Sequence, residues 1–320
     1  MKFKVLLTRK LHDFAINELR KRCQVHIHMG KIPMPKKKLI AKIKGKDGLI
    51  CFPYDIIDSE VIDAARNLKA ISTFSVGYDQ IDVKYARKKG IIVSYTPEVL
   101  TKTTADLTFA LILALVRRIV DGDRIVRQNN WKVIFGAYDF LSTDLNKKTL
   151  GILGMGRIGK EVVKRGLAFD MKILYHNRKK LPKKEEKVLN VKYETLNNLF
   201  GKSDILSIHV PYSKETHGLV NTRLIKKMKK TAYIINTARG MIINEKDLVL
   251  ALKRKIIAGA ALDVYSHEPI GKTHPLTKMS NVVLSPHIGS STTETRNEMA
   301  KLTIKNLILS LNGKNPIYRV

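Results

Sequence analysis

Twice along this chain, short β-type apolar runs alternate with polar, helix-compatible stretches, and that repetition limits the fold more than any other feature. KVLLT, VHIHM, GLICF, LKAISTF and GIIVSYT fill the first hundred residues, separated by stretches such as 59–68. A second series starts at KTLGILGMGRIG and continues through MKILYHN, ILSIHVP, AYIINTARG, AGAALDVY and NVVLSP, with helical patterns at 161–169 and 244–254. Strand runs spaced by helices argue for parallel sheets joined by crossover helices. Between the two series lies an apolar stretch, 106–118, charged at each end, which reads as a connecting helix, and 293–311 reads as a last helix. At about 150 residues per domain, 320 residues with 44% hydrophobic content can fill two cores. The expectation is a two-domain α/β protein with a cleft between the domains.

Composition narrows the class further. The longest apolar run, 107–116, falls well short of the roughly 18 residues needed to span a bilayer. The start, MKFKVLLTRK, reads as a first strand rather than a signal peptide, so no membrane partner and a cytoplasmic location are expected. Cys23 and Cys51 are too few for a disulfide framework and lack metal-ligand spacing, so both are expected as core thiols and no metal site is expected. A formal net charge of +31 permits either a nucleic-acid binder or a surface filled throughout with lysine. Lysines occur along the whole length and do not interleave with aromatics, which favours the dispersed surface and no specific nucleic-acid partner.

Gly154, Gly156 and Gly159 form G-x-G-x-x-G. Alone the motif is weak. Here it follows the strand-like run 150–153 and opens a helical pattern at Arg157, which is the context a dinucleotide site requires. The first glycine permits a tight turn, the second lets backbone approach a pyrophosphate, and the third lets helix and strand pack, with the helix N-terminus facing the anion. An NAD site should carry an Asp or Glu roughly 20 residues on, for the adenosine ribose. This chain has Asn177 and Arg178 there, followed by two lysines. A carboxylate would repel a 2′-phosphate, whereas an arginine beside an uncharged asparagine pairs with it. NADP(H) is therefore preferred, with NAD(H) possible.

Three further strand ends each deliver one polar residue: Arg239 in INTARG, Glu268 in YSHEP and His287 in SPHIG. In open α/β sheets, ligands bind outside the carboxyl ends of strands. Taken singly, each has a plain explanation as a surface charge, a turn residue or a satisfied histidine.

Together, in this order and spacing, GILGMGRIG, HVPYSKETHGLVN, INTARG, GAALDVYSHEP and SPHIGSST closely resemble the D-isomer-specific 2-hydroxyacid dehydrogenases. The resemblance extends to SVGYDQID and TPEVLTKTTADLTFALILAL, and covers almost the whole chain. Among members, the stretches look most like glyoxylate/hydroxypyruvate reductases and the related 2-ketogluconate reductases. The resemblance implies that His287 is the general acid of 2-oxoacid reduction, that Glu268 hydrogen-bonds its imidazole, and that Arg239 binds the substrate carboxylate and polarises the carbonyl. Backbone amides of Ser75, Val76 and Gly77 would hold the other side of the carboxylate. Asp263 would contact the nicotinamide carboxamide, with Thr237, Ala238 and Thr104 along the same wall. The matched stretches also make Met155, Arg157, Ile158, Val210, Pro211, Thr216, His287 and Gly289 cofactor-binding candidates. His267 is adjacent in sequence to Glu268 and is not expected to face it; the other histidines are expected to be structural, although His209 lies near the cofactor. Where the family's substrate loop should follow the third strand, this chain reads CFPYDIID, with Phe52, Pro53 and Tyr54 bulkier than expected. Tyr54 is a substrate-binding candidate, suited to a polyhydroxylated chain.

The resemblance implies a flavodoxin-like substrate domain, 1–99 plus 287–320, and an inserted Rossmann NAD(P)-binding domain, 100–286, both doubly wound. It implies a homodimer built largely through the cofactor domain. Trp131 is then expected in a core or interface, or reaching a neighbour's cleft. Two other readings stand beside reduction of a small 2-oxoacid. One is a phosphoglycerate dehydrogenase-type enzyme using NAD, which usually carries a further C-terminal domain. The other is a dehydrogenase-like, NAD(P)-sensing corepressor, against which the intact Arg239, Glu268 and His287 argue.

Overall fold

The computed structural model describes residues 2–30 and 33–320, and in it the chain divides into two compact units, Met1–Leu100 with Ser290–Val320, and Thr101–Gly289. The first unit alternates β1 (Phe3–Leu7), α1 (Asp13–Arg22), β2 (Cys23–Ile27), α2 (Lys36–Ile43), β3 (Gly48–Cys51), α3 (Ser59–Ala64), β4 (Ala70–Thr73), α4 (Val83–Lys88) and β5 (Ile92–Ser94). Its five strands are all parallel in the order β2-β1-β3-β4-β5, which is flavodoxin-like winding. Every residue of β3 and β4 is buried, as central strands covered by helices on both faces must be.

The second unit runs through α5 (Thr101–Val116), α6 (Ile119–Arg127), β6 (Thr149–Leu153), α7 (Arg157–Ala168), β7 (Lys172–His176), α8 (Lys183–Leu189), β8 (Lys192–Tyr193), α9 (Leu196–Lys202) and β9 (Ile205–Ile208). It continues with α10 (Thr222–Ile225), β10 (Tyr233–Asn236), α11 (Glu245–Lys253), β11 (Gly259–Leu262) and β12 (Val282–Leu284). Its seven parallel strands lie in the order β12-β11-β10-β9-β6-β7-β8, so the winding reverses at β6, the first strand of the unit, in Rossmann fashion. Two cores lie on either side of this sheet. One gathers Leu199, Leu206, Ile234 and Leu248, and the other gathers Ile112, Leu150, Val163 and Ile235.

The chain then returns to the first sheet with α12 (Thr293–Leu311), capped by the Thr292 hydroxyl accepting from the Thr295 amide. Ser72 in β4 donates to the Thr303 carbonyl at 3.0 Å, and Asn306 donates to Tyr95 at 3.1 Å. These bonds and the apolar side chains Ile304, Leu307 and Leu311 tie the last helix to strands made two hundred residues earlier.

Two expectations are corrected. The connecting helix expected over 106–118 begins at Thr101 and breaks at Arg118, whose backbone turns left-handed (φ 55°) with its guanidinium 4.0 Å from the Phe140 ring centroid. The separate helix α6 that follows buries none of its own residues. The helix expected across 59–68 stops at Ala64, where Ala65 leaves helical geometry (φ −100°, ψ 59°) and, with Leu68, is buried in the core of the first unit. Among the described residues no helix is long and apolar enough to cross a membrane, and no group of three or more His, Cys, Asp or Glu is placed to hold a metal ion. Cys23 and Cys51 are buried and unpaired.

Candidate active site

In the second unit the turn after β6 is shaped by close approach. Gly154 sits at φ +104°, and a Cβ there would lie 2.5 Å from the Val210 amide nitrogen and 2.6 Å from the His209 carbonyl carbon, inside contact distance on a backbone region that side chains avoid. Gly159 packs in α7 against the Gly154 carbonyl, while nothing lies within 4 Å of a Cβ built on Gly156. Open space at Gly156 meets the N-terminus of α7, whose cap makes no side-chain hydrogen bond. A helix start with its amides uncapped, facing room that a side chain would fill, fits the pyrophosphate of a dinucleotide. Met155 is buried and its amide donates to Asn177 Oδ1 at 2.7 Å, so Asn177 braces the turn from the end of β7. Arg178, exposed next to it, lies near Glu215, whose carboxyl is held below its ordinary range first by the Ser213 hydroxyl and also by the Arg178 charge.

Val210 and Pro211 follow β9, and Thr216 closes their loop, its hydroxyl donating to the Pro211 carbonyl and accepting from the Ser213 amide, both at 2.8 Å. His209 is half-buried, with Nε2 2.7 Å from the Ser207 hydroxyl, and burial pushes its pKa down to about 3. It is a neutral wall residue rather than an acid.

The ends of β10, β11 and β12 come together around one loop. Beyond β12, His287 adopts φ 54°, and its Nδ1 lies 2.8 Å from Glu268 Oε2, both side chains mostly buried. Glu268 Oε1 accepts from the Tyr265 amide at 2.9 Å. Asp263, just past β11 and 1% exposed, accepts from the Ser285 hydroxyl (2.6 Å), the Ile288 amide (2.8 Å) and the Gly289 amide (2.8 Å). Its carboxylate therefore clamps the loop on both sides of His287, where the sequence had pointed only to a cofactor contact. Past β10, Gly240 lies so close to this region that a Cβ on it would fall 1.8 Å from the Tyr265 carbonyl carbon. That approach sets Arg239 beside the segment bearing Glu268. His267 is not the partner of Glu268; His287 is.

Residues that sequence reasoning missed, Thr108, Asn236, Tyr265 and Glu245 among them, complete the arrangement. Thr108, on α5, pairs its hydroxyl with Thr237 at 2.9 Å and donates to the Thr104 carbonyl at 2.8 Å, linking the helix to the β10 end. Thr104 also lies against Gly289, while the Ala238 amide donates to Asn236 Oδ1 at 3.0 Å. The Tyr265 hydroxyl reaches the Ser285 carbonyl at 2.9 Å. Glu245 takes Ser266 Oγ at 2.7 Å and His274 Nε2 at 3.0 Å; burial raises its carboxyl, but the bonds from Ser266 and His274 outweigh burial and hold it below the ordinary range. Nothing in the sequence singled these out: a helix threonine, a strand-end asparagine, a tyrosine and a helix-start glutamate are too common to point to a site.

In the first unit, Ser75, Val76 and Gly77 follow β4. Ser75 is buried, with its hydroxyl 2.8 Å from that of Thr73 and donating to the Gly77 carbonyl. None of the three amides is used by another described residue, which leaves a row of donors for an anion. Tyr54 is half-buried on the loop after β3, which Asp55 braces by accepting from the Phe52 amide at 2.8 Å and from the Thr8 hydroxyl.

Residues 109–289 match the family model described as D-isomer specific 2-hydroxyacid dehydrogenase, NAD binding domain. The chain is 48% identical over 314 residues to a glyoxylate reductase of Thermofilum pendens, covering 98% of this chain and 93% of that one. It is 42% identical over 319 residues to a glyoxylate reductase of Pyrococcus horikoshii, covering 99% and 95%. Among solved structures, an NADPH-dependent glyoxylate/hydroxypyruvate reductase of Sinorhizobium meliloti, in complex with NADP and malonate, superposes with a TM-score of 0.88 at 29% identity, covering 100% of this chain and 97% of that one. A family model spanning more than half the residues, and near-complete alignment at such identity, agree with the two parallel sheets and the dinucleotide turn: the chain belongs to the D-isomer-specific 2-hydroxyacid dehydrogenases, NAD(P)-dependent oxidoreductases.

Proposed function

We propose that this enzyme is an NADP(H)-preferring reductase of small 2-oxoacids, glyoxylate and hydroxypyruvate first and 2-ketogluconate among those to be tried, yielding the D-2-hydroxyacid. The observation that carries the reading is the 2.8 Å pair of His287 and Glu268, held at a left-handed backbone position by Asp263. A non-glycine residue at positive φ is kept there only when its surroundings enforce it, which is common at functional sites. Glu268 accepts from Nδ1, which fixes the ring and leaves Nε2 as the atom that hands a proton to the substrate oxygen. Arg239 is assigned to the substrate carboxylate and to charge developing on the carbonyl oxygen. On the first unit, the Ser75, Val76 and Gly77 amides are assigned to the carboxylate and Tyr54 to the rest of the substrate. A bound reduced nicotinamide supplies the hydride. The turn at residues 154–159, with Asn177, Arg178, Val210, Pro211, Thr216, Thr237, Ala238, Thr104, Asp263 and Gly289, is assigned to holding the dinucleotide.

The NADP(H) preference rests on the uncharged Asn177 beside Arg178, and the glyoxylate assignment on the named activities of the relatives. A homodimer is part of the same proposal. Residues 119–141 expose Ile134 and Tyr138 at 90% and 88%, with Val133, Leu141 and Trp131 beside them. Trp131 is more than half exposed, its ring tilted against Phe135 with centroids 6.3 Å apart, and an exposed apolar stretch of that kind is what an interface covers. The test is nicotinamide absorbance with glyoxylate, hydroxypyruvate and 2-ketogluconate, each with NADPH and NADH, and 3-phosphoglycerate with NAD. Oxidation preferring NADPH with a small 2-oxoacid is expected; activity only on phosphoglycerate, or none from protein that binds NADPH, overturns the reading.

A further inference from the structure

Two arginines converge on one aromatic pair beside the amide loop of the first unit. Arg9 lies two residues past the end of β1, with its guanidinium 5.9 Å from the Phe52 ring centroid. Arg296 projects from the first turns of α12, 5.5 Å from the Phe74 centroid. The two rings are tilted by 40° with centroids 5.1 Å apart, so both cations rest on one apolar platform. Phe74 immediately precedes Ser75. Because β3 lies between β1 and β4 and strands are spaced roughly 5 Å apart, the Arg9 backbone stands about 10 Å across the sheet edge from the Ser75 amide.

As it stands, the pair is electrostatically incomplete. Burial, and next the like charge of Arg9, hold the Arg296 guanidinium below its ordinary value, with Tyr54 acting in the opposite direction. The hydrogen bond recorded for Arg296 goes to the Ser291 hydroxyl at 2.9 Å, and among the described residues neither guanidinium forms an ion pair with a carboxylate. Elsewhere in this chain cations do find acids, as Lys36 does with Asp58 and Glu60, and Arg165 with Asp106 and Glu161. Two planar donor forks drawn together over an apolar floor, with no counter-charge of their own, match an anion of a ligand.

We infer that Arg9 and Arg296 form a subsite for a second anionic group, so that, beside glyoxylate and hydroxypyruvate, the enzyme takes longer 2-oxoacids with a carboxylate or a phosphate ester at the end remote from the 2-oxo group in preference to neutral-ended ones. The inference rests on the proposed reading of the Ser75, Val76 and Gly77 amides as holders of the 2-oxoacid carboxylate, which fixes the near end of the substrate beside the pair. A monoanion such as glyoxylate leaves the subsite to solvent; a longer dianion spans from the amide loop to the two guanidinium groups.

The full-length enzyme tests this with three substrates: 2-oxobutanedioate, the longer 3-phosphonooxy-2-oxopropanoate, and the neutral-ended 2-oxobutanoate, matched in chain length to the first. At least one dianion is expected to show kcat/KM tenfold or more above 2-oxobutanoate, and the better of the two identifies carboxylate or phosphate as the end group the subsite fits. In Arg9→Gln and in Arg296→Gln, that ratio is expected to fall about tenfold; using a ratio on one enzyme cancels any general loss of fold or catalysis. No preference for a dianion, or a preference that survives both substitutions, overturns the inference. Calorimetric titration of succinate and of inorganic phosphate separates this from a failure of the activity itself. If no 2-oxoacid is turned over, binding of either anion that both substitutions abolish still supports the subsite, and its absence overturns it.

Discussion

His287 cannot be understood from its own sequence neighbourhood, because what orients it for the proposed role of proton donor is a carboxylate nineteen positions earlier and a clamp from Asp263. Replacing His287 with Ala is expected to lower kcat by roughly 10² or more, the scale of losing a general acid, while NADPH binding measured by fluorescence persists; turnover near normal removes it from the role. Asn177→Asp keeps an acceptor for the Met155 amide but adds the charge that a 2′-phosphate avoids. Its ratio of NADPH to NADH kcat/KM is expected to fall at least tenfold, and an unchanged ratio places selectivity elsewhere. His209 makes a different prediction, about stability. Its folded pKa, about 3, lies below the unfolded value near 6.5. An unfolded chain therefore takes up a proton that the folded one refuses, so the stability this group provides is present above pH 6.5 and is lost as pH falls toward 3. The loss should exceed about 1 kcal/mol per pH unit within that window. Urea unfolding at pH 7 and pH 5 is expected to show a shallower acid loss in His209→Asn than in the parent.

The elements show which parts of a chain can be read before it folds. Strands β3, β4, β9 and β11 are short apolar runs bounded by glycine or charge, and periodicity finds them because every residue in them is buried. The turn at residues 154–159 was legible because three glycines at fixed spacing between a strand and a helix serve a local geometry. What stayed hidden was long-range. At the break, Arg118 packs on Phe140 from further along the chain, and the pairing of Thr108 with Thr237 joins residues 129 positions apart. Likewise, the resemblance implied Asp263 as a cofactor contact but not as the residue that holds the histidine loop. Gly240 is the sharpest case, a glycine in no motif whose missing Cβ lets the β10 end approach Tyr265. Gly240→Ala must push backbone against backbone, and overpacking of that kind costs roughly 1–3 kcal/mol. The expected result is a lower melting temperature together with a reduced kcat, since the displaced segments carry Arg239 and Glu268. A variant with unchanged melting and kinetics contradicts the close approach.

For the whole molecule, net charge and apolar surface predict different behaviours. A charge of +31 spread over lysines is expected to give polyanion binding that disappears at modest salt without sequence preference. The exposed stretch around Ile134 and Tyr138 predicts self-association that salt does not dissolve. Light scattering is expected to give twice the chain mass for the parent and a shift toward a single chain for Ile134→Lys with Tyr138→Glu; a parent that is monomeric at micromolar concentration rules out the proposed dimer.

The return of α12 to the first sheet carries a consequence for how the molecule comes into being. Residues 1–100 leave the ribosome first, yet the sheet they form keeps Gly48 and Ser72 uncovered until Thr303 and Leu307 arrive. Residues 101–289 have all their strands in one continuous stretch and can close on themselves during synthesis. The part made first is thus the part finished last: the nascent chain completes its dinucleotide half while its opening half waits, with one apolar face unprotected, for the final helix to be translated.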